Sequence, residues 1–281
     1  ESVLYELYVE KRLPLSKIAK KYNCSTSIIL DKMRKHGIER RGPSEANMIY
    51  PKKEFSGDLF EKAYMIGFRL GDLFARRHNY QVDVKTNTTK IEQVNLIRDV
   101  YGKYGHFYCK KINNVFHVQC FLDPTFSFLL PKQDRIENWI LENDGSFLAF
   151  FAGYTDAEGN VGVYDGRARF RVGSYDKRIL SQIHQKLTGI GIHCKYRLET
   201  KADKNNQKNG DFWRVCVNDK FSLMRLFELL VPYLKHEKRL KDITRAKINI
   251  LERNENFGRK EVFIRNEQGK VLRHHAYLLH K

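Results

Sequence analysis

Two ten-residue segments of the chain share one pattern: AYMIGFRLGD at 63–72 and AFFAGYTDAE at 149–158. Ala63, Gly67 and Gly71 correspond to Ala149, Gly153 and Ala157, each 86 residues on. Each triplet is followed at once by an acid, Asp72 or Glu158. Small residues four apart lie along one helix face. Such a stripe lets two helices approach more closely than the usual spacing of about 8–10 Å. The same logic is best known from membrane helices and is used here by analogy. A repeat of this size suggests duplication into two similar domains. If the two stripes meet, Asp72 and Glu158 arrive side by side at the helix ends.

Two carboxylates so placed repel, and each lies near the negative end of its helix dipole. A divalent cation removes the conflict. Oxygen-only ligands favour Mg²⁺, which binds through one or two carboxylates together with substrate phosphates. Such an ion activates water for attack on phosphorus and supports the departing oxygen, so the pattern points to metal-dependent phosphodiester hydrolysis. A single motif of this kind reads better as a solvated helix cap. An acid at the same place twice, at a constant offset, favours a functional pair.

The flanks repeat as well. After the first acid the pattern predicts a strand around 81–86, a helix around 91–104, strands around 106–111 and 115–122, and a helix near Phe126. After the second it predicts strands around 161–164 and 167–173, a helix around 177–190, strands near 193–198 and 212–217, and a helix over 221–234. Both halves read α-β-β-α-β-β-α.

Charge narrows the partners. Lys and Arg number 51 against 33 Asp and Glu, a formal net charge of +18. That surplus suits a polyanion such as nucleic acid, or an anionic membrane surface. No run approaches the ~18 apolar residues of a spanning helix. Residues 1–12 lack the apolar core of a signal peptide. Cys24, Cys109, Cys120, Cys194 and Cys216 are scattered and form no CxxC pair, which disfavours a disulfide framework or a zinc site and fits reduced thiols in a cytoplasmic protein.

The first 42 residues carry ten Lys/Arg against five Asp/Glu. Val3, Leu4, Leu7 and Tyr8 recur at helical spacing. Pro14 breaks the chain, Ser16 is a candidate cap for a second helix with Ile18, Ala19 and Tyr22, and Asn23 suits a left-handed turn. A third helix from Ser25 is expected to turn Ile28, Ile29 and Met33 inward and to end at Gly37. LSKIAKKYNCSTSIILDKMRKHGI thus has the pattern of a helix-turn-helix. Its third helix would offer Ser25, Thr26, Ser27, Asp31 and Arg34 to a groove. The plain alternative is a helical hairpin used for protein contact.

FAGYTDAEG at 151–159 resembles the LAGLIDADG motif along its whole length, and MIGFRLGDL at 65–73 is a looser match that keeps Gly67 and Asp72. The resemblance, which covers roughly 58–250, is to the two-motif, single-chain homing endonucleases. It implies an α+β fold of two pseudo-symmetric αββαββα halves whose strands form a saddle over the DNA major groove. It also makes Asp72 and Glu158 the metal-binding acids, gives Asp156 a structural or capping role, and places Arg69 in a helix that is usually apolar there. In the strands, Arg167, Arg169 and Arg171 share one face, as do Lys195 and Arg197. With Lys85 and Arg214, and Lys110 and Gln119 as further candidates, they are the expected DNA contacts. A basic residue near the metals is also implied. PYLKHEKR at 232–239 offers Lys235 and Lys238 for it, and Lys132 is a counterpart in the first half.

The expected organisation is a helix-turn-helix at 1–42, a linker at 43–57, halves at 58–140 and 141–250, and a C-terminal tail at 251–281 in which His274 and His275 adjoin. The expected molecule is a monomeric double-strand DNA endonuclease using Mg²⁺ or Mn²⁺, cytoplasmic (nucleoid-associated or organellar), from an intron, intein or free-standing gene. A non-cleaving DNA-binding regulator and an RNA-binding intron maturase are the competing readings.

Overall fold

The structure is a computed structural model and describes residues 2–11, 13–42, 50–203, 210–255, 259–265 and 271–278, with side chains described between residues 3 and 253. The chain divides into two compact units, Glu1–Pro51 and Lys52–Lys281.

The first unit is helical. α1 (Ser2–Tyr5) runs on into a wider π turn (Glu6–Glu10), followed by α2 (Leu15–Lys21) and α3 (Thr26–Lys35). Asn23 takes a positive φ of 50° in the turn between α2 and α3. Ser25 caps α3 by accepting from the Ile28 N–H at 3.4 Å. Two expectations need correction. α2 begins behind Pro14 with no side-chain cap, because the preset φ of proline already starts the helix and Ser16 falls inside it. Ile28 and Val3 lie outside the small core of Leu7, Tyr8, Ile18, Ala19, Ile29 and Met33, about half exposed. At 3.6 residues per turn, Ile29 and Met33 share a face from which Ile28 is rotated by about 100°.

The second unit holds two copies of one arrangement. The first runs α4 (Leu59–Asp72), β1 (Phe74–His78), β2 (Gln81–Thr88), α5 (Ile91–Tyr101), β3 (His106–Ile112), β4 (Val115–Leu122) and a 3₁₀ turn (Pro124–Leu129). After a short α6 (Asn138–Glu142), the second runs α7 (Asp144–Glu158), β5 (Gly159–Tyr164), β6 (Arg167–Ser174), α8 (Lys177–Gly189), β7 (Lys195–Thr200), β8 (Phe212–Val217) and α9 (Lys220–Leu230). Each half forms a four-stranded antiparallel sheet, in the order β1-β2-β4-β3 and β5-β6-β8-β7. The class is mixed α+β with two like halves, as expected.

Strand alternation sets the core. Val82 and Val84 in β2, and Ala168, Phe170 and Val172 in β6, are buried against the helices. β1, sequence FARRH, is absent from the predicted strands. It is an edge strand that buries only Ala75, so its sequence shows no apolar alternation.

Past the second half come α10 (Glu237–Glu255) and a hairpin of β9 (Arg259–Arg265) and β10 (Val271–Leu278). Neither element is among those expected from the sequence. Ile243, Ala246 and Ile250 form the buried stripe of α10. They were legible as helical spacing, but charged residues dominate between them. His274 and His275 lie in β10, with side chains outside those described. Residues 43–49 of the expected linker also lie outside the described residues.

Candidate active site

α4 and α7 pack through their small-residue stripes. A Cβ built on Gly67 would collide with the Phe150 carbonyl oxygen, and one on Gly153 with the Tyr64 carbonyl oxygen. Each glycine therefore seats the partner backbone directly, and the contact is reciprocal. Ala63 and Ala149 are buried in the same interface. A turn further on, a Cβ on Gly71 would strike the Ala157 Cβ and come within 3.1 Å of the Glu158 Cγ. The two helices thus deliver Asp72 and Glu158 side by side at their last residues, and each runs on into the edge strand of its own sheet.

The electrostatics follow from that placement. Burial lifts the Asp72 carboxyl above the usual range, opposed by Arg239, a 2.7 Å hydrogen bond from Gln93 Nε2, and Lys90. Burial and the charges of Asp72 and Asp176 push Glu158 up to about 7, with Lys132 and Arg239 opposing. The halves differ here. Asp176 stands 86 residues beyond Lys90, so one acid has a cation where the other has an anion.

Asp156, earlier in the second motif, has another task. It is buried, and its Oδ2 accepts from Tyr64 Oη at 2.6 Å and from the N–H groups of Lys235 and His236 at 2.8 and 3.1 Å. It ties α4 to the entrance of α10. Burial, opposed by those hydrogen bonds and Arg239, leaves its carboxyl at about 6. His236 Nδ1 accepts from the Lys238 N–H at 3.2 Å, and burial and Arg239 hold the ring down at about 4, in its neutral form.

Arg69 is also accounted for. Its buried guanidinium donates to the carbonyls of Leu73 and Leu129 at 2.9 Å each, joining the end of α4 to the 3₁₀ turn.

Of the basic residues singled out in the sequence, Lys132 bears on an acid of the pair, while Lys235 and Lys238 have other partners. Lys235 is exposed, with its Nζ 5.0 Å from the Tyr64 ring centroid. Lys238 pairs with Asp242 at 2.6 Å along α10. Lys132 is exposed and its charge acts on Glu158. Arg239 was not singled out, yet its charge acts on Asp72, Asp156 and Glu158 alike. It closes the same octapeptide, PYLKHEKR, and only the direction of α10 distinguishes it from its neighbours. Gln93 carried no sequence signal.

The outward strand faces hold most of the other candidates. Arg167, Arg169 and Arg171 alternate with buried residues along β6. Lys195 pairs with Cys216 and Arg197 with Arg214 across β7 and β8, on the same face of the sheet. Arg169 is paired with Asp165 at 2.9 Å, Arg197 and Arg214 share Glu199, and Arg171 lies over the Tyr164 ring. In the first sheet, Lys85 lies opposite Gln119, and with Asp72, Phe74, Tyr108 and His117 they line a cavity of about 500 Å³. Lys110 lies opposite His117. Ser25, Thr26, Ser27 and Arg34 are all exposed on α3, Arg34 beside Asp31 at 3.3 Å.

Two adjacent carboxylates, both raised by burial and Glu158 also by the charge of Asp72, offer only oxygen donors and fit a hard divalent cation. No larger group of His, Cys, Asp or Glu suited to a metal occurs among the described residues, so the rest of the coordination shell would come from water and substrate. A titration checks the fit. Because folding raises the Glu158 pKa from 4.5, the stability tied to that group is present below about 4.5 and is lost as pH rises through about 7. The melting temperature of cation-free protein, relative to the non-titrating Glu158→Gln, is expected to fall across that window. Mg²⁺ added above it should raise the melting temperature again. Parallel profiles for the two proteins, unmoved by Mg²⁺, would remove the acid pair as a cation site.

Residues 147–230 match the family model of the LAGLIDADG-like domain. The match lies within the second half, and the internal repeat places a looser copy of the same motif in the preceding half. Among solved structures, the chain is similar to I-DmoI in complex with DNA and Ca (14% identity, 61% of this chain and 90% of that one, TM-score 0.43). It is likewise similar to the homing endonuclease I-WcaI bound to its DNA recognition sequence (15%, 64% and 84%, 0.43). A third is the LAGLIDADG homing endonuclease I-GzeII in complex with its DNA target (10%, 69% and 91%, 0.45).

Proposed function

We propose that this protein is a site-specific double-strand DNA endonuclease of the homing type, acting as a monomer with a divalent cation, Mg²⁺ or Mn²⁺. The carrying observation is that glycine-pinned helices bring Asp72 and Glu158 together where each helix enters a sheet with basic residues on its outward face. A cation held there would supply Lewis acidity toward a phosphodiester and ease deprotonation of water. The chain's own groups do the rest. Asp72 and Glu158 hold the charge, Gln93 orients Asp72, and Arg239 and Lys132 offset the surplus of negative charge beside the scissile phosphate. Asp156 fixes the stretch from which Arg239 projects. Arg167, Arg169, Arg171, Lys195, Arg197, Arg214 and Lys85 face the duplex, where arginine reads guanine and lysine holds phosphate. Ser25, Thr26, Ser27 and Arg34 of α3 extend the contact as a helix-turn-helix would.

The test is a library of randomised duplex targets in plasmids, incubated with Mg²⁺ and with EDTA. The expected result is linearisation at one sequence class, only with Mg²⁺. Specific, salt-sensitive binding to a selected duplex without any cutting would replace endonuclease by regulator. Selective binding of structured RNA over duplex would favour a maturase.

A further inference from the structure

Asp83 lies on the outward side of β2. It shares parity with exposed Lys85 and is opposite in parity to Val82 and Val84, yet its side chain is fully buried. Its own partners cover it. Oδ1 accepts from Gln81 Nε2 at 2.7 Å. Oδ2 lies 3.4 Å from Arg76 Nε, 3.4 Å from Gln119 Nε2 and 3.7 Å from His78 Nδ1. No step of the proposed cleavage uses this cluster.

An ionised carboxylate only accepts hydrogen bonds, whereas a glutamine amide carries a donor end and an acceptor end. On an open strand face that amide turns freely. Here both glutamines commit an N–H to Asp83, which sets their carbonyl oxygens away from it. In the major groove, cytosine N4 and adenine N6 donate, while guanine O6 and N7 and thymine O4 accept. Amides held with the oxygen free therefore select amino-bearing bases.

The second sheet is built with the opposite sense. The offset of 86 residues persists through the strands. Arg76 pairs with Asp83 as Gly162 pairs with Arg169, and Phe74 pairs with Lys85 as Asn160 pairs with Arg171. Arg167, Arg169 and Arg171 thus stand where the first sheet has Gln81, Asp83 and Lys85. Arginine only donates, which suits guanine. At the middle position the two halves carry opposite charges.

We propose that Asp83 is a positioning residue that sets the polarity of base readout by the first sheet. It holds Gln81 and Gln119 with their oxygens toward the duplex. That half of the target is then read at adenine and cytosine amines, while the arginine face of the second sheet reads guanine. The proposal rests on the reading that the outward sheet faces contact DNA.

Selection from a randomised duplex library, without Mg²⁺ so that nothing is cut, tests it with the full chain and with Asp83→Asn. Wild type should select amino-bearing bases on one strand of one half-site and guanines in the other. An asparagine amide can donate as well as accept, so the glutamines lose their enforced orientation. The amine preference under the first sheet should fall about 10-fold, within the range for one base contact, with the guanine half unchanged. Arg76, released from its ion pair, should steepen the plot of log affinity against log salt by about 0.9 for one added phosphate contact.

Equal loss in both half-sites would mean that Asp83 only supports the fold, and that overturns the proposal. So does an unchanged base profile with an unchanged salt slope. If Asp83→Asn does not fold, Gln81→Leu and Gln119→Leu carry the test, since each must erase the amine preference at one position only. Wild type that binds no duplex sinks the DNA-surface reading itself. Selective wild-type binding with an unaltered Asp83→Asn profile sinks this inference alone.

Discussion

Asp72→Asn and Glu158→Gln are each expected to lower cleavage by at least about 100-fold, the size of effect that losing a supporting residue around a metal already produces. Binding to the same duplex should remain within a few-fold of wild type. Both substitutions keep shape and remove charge from a pair in which burial raises both carboxyls and the charge of Asp72 raises Glu158 further. The folded protein should therefore not suffer. Relief of like-charge repulsion should raise the melting temperature of the cation-free form. The combination of higher stability, retained binding and lost cutting identifies a functional acid pair. A nicking and linearisation assay beside a gel-shift titration reads it. If Glu158→Gln cuts at wild-type rate, the paired-acid mechanism fails. Loss of cutting and binding together would mean the substitution had damaged the DNA surface instead.

Gly153→Ala is expected to be strongly destabilising for a change of a single methyl group. Its Cβ would land on the Tyr64 carbonyl oxygen and within 2.9 Å of the Phe68 nitrogen, both backbone atoms that no rotamer change can move. The helices must separate, at a cost of about 1–3 kcal/mol or more for overpacking. That is roughly 2–12 °C of melting temperature for a unit of this size. Separation also draws Asp72 away from Glu158, so cutting should fall beyond what the lost stability explains. Gly67→Ala meets the Phe150 carbonyl in the same way. Gly189→Ala, at the end of α8 with nothing within 4 Å of the added methyl, is the control and should stay within about 0.5 kcal/mol of wild type. A melting curve of Gly153→Ala that overlays wild type would show that the helices do not meet through their glycines.

The repeated stripe and its acids were legible because they depend on local periodicity. Residues four apart share a helix face whatever surrounds them, and so do alternate residues in a strand such as Arg167, Arg169 and Arg171. The chain therefore announced its helix pair, its two sheets and its arginine face. β1 was missed because an edge strand need bury only one residue, Ala75, and so shows no alternation. α10 was missed because charged side chains dominate its sequence between the apolar positions. Ile28 is apolar but not covered, because the face shared by Ile29 and Met33 decides which side chain is buried.

That two small-residue helices end in acids and lead into basic strands follows from backbone repeat and residue type alone. Which groups act on those acids depends on long-range packing. Gln93 reaches Asp72 across 21 residues of chain, and Asp156 holds the N–H groups of residues 79 and 80 positions away. Arg239, not Lys235 or Lys238, is the α10 cation shared by all three carboxylates. The physical reason is range. A turn of helix or a strand pair is specified within a few residues, while a charge responds to whatever the fold brings within several ångströms, and nothing in the spacing of the chain records that neighbour.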